Sequence, residues 1–228
     1  PGSAGAYTRI TVATDAPLLY YYCTAHSGMG SYVEIGSWCG VELFNFDTRL
    51  PHQAWQWGNN EKGQLGQNNK TDYSSPVQVG SDATWSDIGD VGYEYAVAIK
   101  QDGSFWAWGS NSYGRFGQNN SGAPASISSS SPKQTASDTT WTTVSASNYK
   151  TIATKSDNTL WVWGENRNGH LGINVGSYNG RSSPTQIPGT WAVAVFGGSD
   201  QHVSGMGVKT DGTLWTWGKN AYGKLGFS

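Results

Sequence analysis

Charge is scarce in this chain: only 13% of its 228 residues are Asp, Glu, Lys or Arg, about half of the usual ~25%. With 16 acids against 14 bases, the formal net charge is −2. A sequence this close to neutral offers no basic face for clamping nucleic acid and no polybasic stretch for an anionic membrane surface. Long hydrophobic runs are missing as well. The longest aromatic and apolar stretch, Leu18 to Cys23, has the length of a strand and falls far short of the ~18 residues of a membrane-spanning helix. Two cysteines, Cys23 and Cys39, exclude a disulfide scaffold and allow one bridge at most. No apolar spacing persists at the helical period beyond a single turn, and the density of Gly, Ser and Asn would break such a helix. Aliphatic residues are few, as in disordered chains, but those also carry high net charge. With 13% aromatics, the reading is a folded chain whose core is built from Trp, Tyr and Gly. Position 1 is Pro and no signal peptide precedes it, so a processed chain or a piece of a longer one is expected.

What is abundant is tryptophan, 12 residues of it, and glycine, 31. The string Trp-x-Trp-Gly occurs at Trp55–Gly58, Trp106–Gly109, Trp161–Gly164 and Trp215–Gly218, at steps of 51, 55 and 54 residues. Each copy is followed by Gly-x-(Leu/Phe)-Gly, whose last glycine lies eight residues beyond the Trp-Gly glycine every time. An asparagine stands two places after that first glycine in all copies: Asn60, Asn111, Asn166 and Asn220. Ser-Ser-Pro recurs at Pro76, Pro132 and Pro184, and a lone Trp follows seven to nine residues later, at Trp85, Trp141 and Trp191. Trp38 fits the lone position of a degenerate first copy.

A hairpin signal precedes three of the tryptophan pairs. Asp102-Gly103, Asp157-Asn158 and Asp211-Gly212 separate short apolar runs, and these dipeptides tolerate the positive φ of tight turns. Side chains alternate along a strand, so the two tryptophans of a pair share a face. Each unit therefore reads as a small antiparallel sheet of about four strands. A unit of ~50 residues cannot bury an aromatic face alone, so copies must stack, and radial stacking gives a β-propeller.

The order Asp-Gly-(Thr/Ser)-(Leu/Phe)-Trp-x-Trp-Gly-x-Asn-x-x-Gly-x-Leu-Gly resembles the repeats of the regulator-of-chromosome-condensation propeller family. The resemblance covers residues 52–228 and is specific in copies two to four. Copy one has Pro51-His52-Gln53-Ala54 in place of the turn, which leaves its hairpin open. The resemblance implies an all-β fold, a partial propeller of about four blades, in a family that closes seven. The remainder of the ring would lie outside this chain or come from other subunits.

Residues 1–36 read differently. Strands at 10–14, 18–23 and 31–35 flank a loop carrying Cys23, His26 and Met29. Soft sulfur donors with an imidazole suit copper, and this strand-loop-strand resembles the C-terminal part of a cupredoxin-like module. No histidine precedes Cys23, so the ligand set is incomplete within this chain; copper binding needs the upstream half of the module. An inherited turn without metal, with Cys23 as a small buried hydrophobe, and a Cys23–Cys39 disulfide are the alternatives. The same segment resembles modules in virion structural proteins of marine tailed phages. Residues 37–51 form a linker or the start of a degenerate blade.

No catalytic constellation emerges, and an enzyme is not expected. His170 fills the variable position of Gly-x-Leu-Gly held elsewhere by Gln64, Arg115 and Lys224, which suggests a solvated loop. Asp102, Asp157 and Asp211 are explained by turn chemistry. The pairs Trp55/Trp57, Trp106/Trp108, Trp161/Trp163 and Trp215/Trp217 are assigned to blade core over a sugar-stacking platform, because they recur at fixed positions. Recognition is assigned to the variable loops that follow, with Asn68, Asn69, Tyr73, Asn119, Asn120, Tyr178, Asn179 and Arg181 as candidates. The expected role is a non-enzymatic virion appendage, of tail-fibre or capsid-decoration type, with a host-surface receptor or glycan and other virion proteins as partners. It would be extracellular, homo-oligomeric, free of nucleic acid and not inserted in a membrane. A cellular interaction propeller resembling guanine-nucleotide exchange scaffolds and a copper electron-transfer protein are the alternatives.

Overall fold

A computed structural model describes residues 19–22, 30–33, 52–89, 94–120, 128–176, 178–198 and 203–226. The first two segments are strands, β1 (Leu19–Tyr22) and β2 (Gly30–Val33), paired antiparallel with Leu19 opposite Val33. β1 falls inside the strand expected at 18–23, and β2 overlaps the one expected at 31–35, starting one residue earlier. Cys23, His26, Met29, Trp38 and Cys39 lie outside the described residues.

The remaining strands form four antiparallel sheets in chain order. The first holds β3 (Trp55–Gly58) and β4 (Tyr73–Gln78). The second has β5 (Trp85–Ile88), β6 (Tyr95–Lys100), β7 (Phe105–Gly109) and β8 (Ser129–Gln134), each strand beside the next. The third repeats this with β9 (Trp141–Ser147), β10 (Lys150–Lys155), β11 (Leu160–Gly164) and β12 (Arg181–Ile187). The fourth contains β13 (Trp191–Gly197), β14 (Ser204–Lys209) and β15 (Leu214–Gly218). The architecture is all-β, a partial propeller, with helix limited to single 3-10 turns among the described residues.

These sheets set the phase of the repeat. The lone tryptophan opens a blade, the Trp-x-Trp-Gly string is its third strand, and Ser-Ser-Pro is its fourth. The fourth strand lies at the sheet edge, where proline, lacking an N–H, is tolerated. The glycine closing the third strand is fixed by space: at Gly164, with φ +102°, a Cβ would stand 2.2 Å from the Tyr149 carbonyl oxygen.

The core lies between sheets, not within any one of them. Val97, Ile99, Phe105 and Ala107 of the second blade pack on Trp141, Val144, Ala146 and Trp163 of the third. Ile152, Leu160 and Val162 of the third pack in turn on Trp191, Ala194, Phe196 and Val203 of the fourth. Burial of these facing surfaces, at roughly 25 cal/mol per Å² of apolar area, is what makes stacking obligatory.

The tryptophan pairs divide their duties. The second member reaches the full core only at Trp108 and Trp163; Trp57 and Trp217 are half-buried. The first members, Trp55, Trp106 and Trp161, are half-buried, and Trp215 is 50% exposed. Trp106, Trp161 and Trp215 are held by their own turn. In the third blade, the Asp157 carboxylate accepts from the Thr159 amide and hydroxyl, and the Thr159 hydroxyl accepts from Trp161 Nε1 at 2.8 Å. Ser104 with Trp106 and Thr213 with Trp215 repeat the arrangement. Turn chemistry thus accounts for Asp102, Asp157 and Asp211, and their accepted hydrogen bonds hold all three carboxyls below the ordinary Asp range.

Candidate functional site

An antiparallel meander sends successive connections to opposite ends of a blade. The tight turns gather on one end, the turn face. The β5–β6 and β7–β8 connections and their counterparts gather on the other, the loop face.

The turn face is built from repeated residues. Lys100 Nζ lies 3.6 Å from the Trp106 ring centroid and 5.1 Å from that of Trp85. Lys155 sits 4.6 Å from both Trp141 and Trp161, and Lys209 sits over Trp215 and Trp191. Lys100 also pairs with Asp82, and Lys155 with Asp138. These lysines precede the turn in copies two to four, a recurrence visible in the sequence whose cation–π role is seen only once the rings are placed.

The loop face carries what differs between copies, anchored on what does not. Each repeated asparagine accepts a hydrogen bond from the amide of the Leu or Phe five residues on: Leu65 at 2.9 Å, Phe116 at 2.8 Å, Leu171 at 2.9 Å and Leu225 at 3.1 Å. Its side-chain amide then ties the variable loop. Asn60 donates to Asn69, Asn111 donates to the Asn120 side chain at 2.9 Å, and Asn166 donates to the Gly176 carbonyl.

The candidate loop residues split into two groups. Asn68 and Asn119, at φ 57° and 55°, use their amides to reach Ser130 and Ser182 of the next blade, 2.7 Å each. Asn69 donates to the Tyr73 hydroxyl at 3.0 Å, so Asn69, Tyr73 and Asn120 shape their loops. Tyr178 is 73% exposed, Asn179 is exposed and Arg181 is half-buried; these three are presented outward together.

The variable residue of Gly-x-Leu-Gly is not solvated as its variability suggested. Gln64, Arg115 and His170 are buried, because this position points into the junction with the next blade; only Lys224 is exposed. Arg115 stacks between the rings of Tyr95, 5.0 Å, and Tyr149, 4.7 Å. It donates from Nε to the Ser112 carbonyl at 2.9 Å and lies 3.6 Å from Glu94. Burial lowers its guanidinium from the usual value, opposed by Tyr95 and Glu94. Tyr113, 51% exposed, packs on Tyr149 with centroids 5.0 Å apart. At the next junction Glu165 lies 3.8 Å from buried Lys150 and 3.3 Å from Arg167. His170 is held down to about 3, first by burial and then by the positive Lys150, Arg167, Lys219 and Lys224.

The loop face therefore offers a rim of Tyr113, Tyr149, Tyr178, Arg167 and Arg181 above a rigid floor. This suits contact with a surface. Among the described residues no group of three His, Cys, Asp or Glu side chains could hold a metal ion, and no helix is long and apolar enough to cross a membrane.

Comparison with known proteins agrees with this geometry. The regulator of chromosome condensation (RCC1) repeat matches residues 52–99 and 157–203, and a second description of the same repeat matches residues 89–115. Among solved structures, human WBSCR16 is similar at a TM-score of 0.61 and 19% identity over 76% of this chain. Prp20p from Saccharomyces cerevisiae gives 0.61 and 17% over 79%. Yeast RCC1 (Prp20) bound to Kap60 gives 0.60 and 17% over 85%. The chain spans 45%, 44% and 48% of the lengths of these structures. At such identities the likeness is one of fold. Together with the meandering blades, it shows a partial β-propeller in which residues 52–115 and 157–203 match RCC1-type repeats.

Proposed function

We propose that the chain is a non-enzymatic structural and recognition module, a virion appendage component whose loop face docks on a host-surface receptor or glycan. One observation carries the recognition part. The repeated residues are consumed by blade architecture, while the copy-specific ones collect on one face, tethered to the repeated asparagines. Rigid scaffolds that present variable loops in this way are suited to binding. The virion setting rests on the resemblance of residues 1–36 to phage modules. The test is binding of the purified chain to host cells and to a glycan panel, alongside Tyr178→Ala and Arg181→Ala variants. Loss of binding at unchanged thermal stability supports the reading; undiminished binding by the double variant removes the loop face from it.

A second reading follows from the fold. The Prp20p structure is described with binding properties to Gsp1p and histones, so a cellular propeller that docks proteins is the competing proposal. Capture of small GTPases or histones by the full chain, with no binding to host cells, would favour it.

A further inference from the structure

A cleft of about 340 Å³ opens on the turn face between the second and third blades, at the lower end of the ~300–1,000 Å³ of small-molecule sites. Each of these blades is packed against another on either side, so the cleft is walled by complete units. One wall is the Lys100–Gly103 turn with Ser86; the other is Thr139–Thr142 with Ser156. Backbone contacts fix its base. The Trp141 amide donates to the Gly103 carbonyl at 3.2 Å, and the Ser156 amide to the Thr140 carbonyl at 2.8 Å. Glycine at 103 is required for that approach, since a Cβ there would stand 2.1 Å from the Thr139 carbonyl oxygen.

The walls are rich in acceptors. Three exposed hydroxyls spend their protons inward: Ser86 donates to the Ile99 carbonyl at 3.1 Å, Thr140 to the Asp138 carboxylate at 2.6 Å, and Thr142 to the Thr154 carbonyl at 3.2 Å. What each has left to offer is oxygen lone pairs. Asp102 takes both bonds from Ser104 on Oδ1, which leaves Oδ2 as a fourth acceptor. Net charge selects no ion, because the one ammonium and the one carboxylate on the walls, Lys100 and Asp102, are opposite in sign. The set is more than the repeat. In the fourth blade Ala192 stands in the place of Thr142, and Thr190 and Thr210, the counterparts of Thr140 and Ser156, bond each other at 2.7 Å.

We propose that this cleft binds a neutral saccharide unit. Neighbouring hydroxyls of a sugar ring supply closely spaced donors, which is what acceptor-lined walls without net charge require. A sulfate or an apolar molecule would leave those oxygens unpaired, and an ammonium would meet Lys100. The cleft lies at the opposite end of the blades from the loop face, so it stands apart from the recognition role proposed there.

Amide NMR of the full chain, titrated with glucose, galactose, mannose and N-acetylglucosamine, tests it. The expected result is a saturable shift of the Gly103, Thr139, Thr142 and Ser156 amides with at least one of these sugars. No shift with any of them overturns the proposal. Shifts confined to loop-face residues such as Tyr178 and Asn179 overturn it too, while supporting the loop-face reading. Saturation of the cleft amides by sodium sulfate or putrescine and by none of the sugars likewise overturns it. Ser86→Ala and Thr142→Ala each remove one acceptor at an exposed position and should each weaken sugar binding roughly two- to tenfold, with circular dichroism unchanged. Undiminished binding by the double variant overturns the proposal. If the double variant misfolds, Ser156→Gln, which fills the cleft from its rim, makes the same test.

Discussion

Trp163 Nε1 donates to the Arg115 carbonyl across the junction of the second and third blades, at 2.7 Å. Both residues are buried, so the bond spans two sheets with no water to replace it. Trp163→Phe keeps most of the ring and leaves that carbonyl to the Thr151 hydroxyl, 3.1 Å away; the expected loss is about 0.5–1.5 kcal/mol. Trp163→Ala also opens a cavity and should cost about 3–5 kcal/mol. Urea unfolding of both variants measures this, and a Trp163→Phe variant as stable as the unaltered chain would show that the hydrogen bond contributes nothing.

Gly117 and Gly226 hold the same place in their turns, at φ +73° and +79°. A Cβ on Gly117 would lie 3.2 Å from the Trp163 indole and 3.3 Å from Pro184, whereas one on Gly226 meets nothing. Alanine at either position incurs the left-handed backbone penalty of about 1–2 kcal/mol. Only Gly117→Ala adds crowding, about 1–3 kcal/mol more. Thermal melts of the two variants should differ accordingly.

Much of this was legible in the sequence because the constraints are local. Asp157 and Thr159 shape a turn, Asn166 sets a loop five residues long, and the Trp161/Trp163 pair repeats at fixed offset. The blade boundary was not legible. A repeating string has no natural start, and only strand pairing shows that Trp141 belongs with Phe105's neighbour blade and not with Pro132. Nor was the burial of Arg115 and His170. A varying position in a glycine-rich loop looks solvated until the next blade is laid against it. The residues differ there because the side chains meet different neighbours, Tyr95 and Tyr149 around Arg115, the positive Lys150 and Arg167 near His170.

Lys155 links the turn face through Asp138. Partial burial pulls the Asp138 carboxyl up, but hydrogen bonds from Lys155 and Thr140 outweigh it and leave it below its usual value. With the folded value depressed, the stabilisation is present above the ordinary Asp range near ~3.9. It is lost as pH falls through the folded value. Asp138→Ala should cost about 0.5–1 kcal/mol near neutral pH, as a partly exposed pair does, and nothing in strong acid. A cost that persists unchanged at low pH would assign the effect to packing.

His170 gives the opposite window. It is 0% exposed and held down to about 3 from an ordinary 6.5. Below that ordinary value the unfolded chain takes up a proton that the folded chain refuses, so stability rises with pH across the interval. Falling from pH 6 to pH 4, the protein should lose on the order of 1 kcal/mol per pH unit from this residue. His170→Gln, matching the Gln64 of the first turn, should flatten the slope over that range while leaving the Asp-dependent fall below it. NMR of the imidazole provides the direct reading: no titration of His170 above pH 4 in the folded protein. A midpoint near 6.5 would mean that the ring is solvated and that the junction around Trp217 opens.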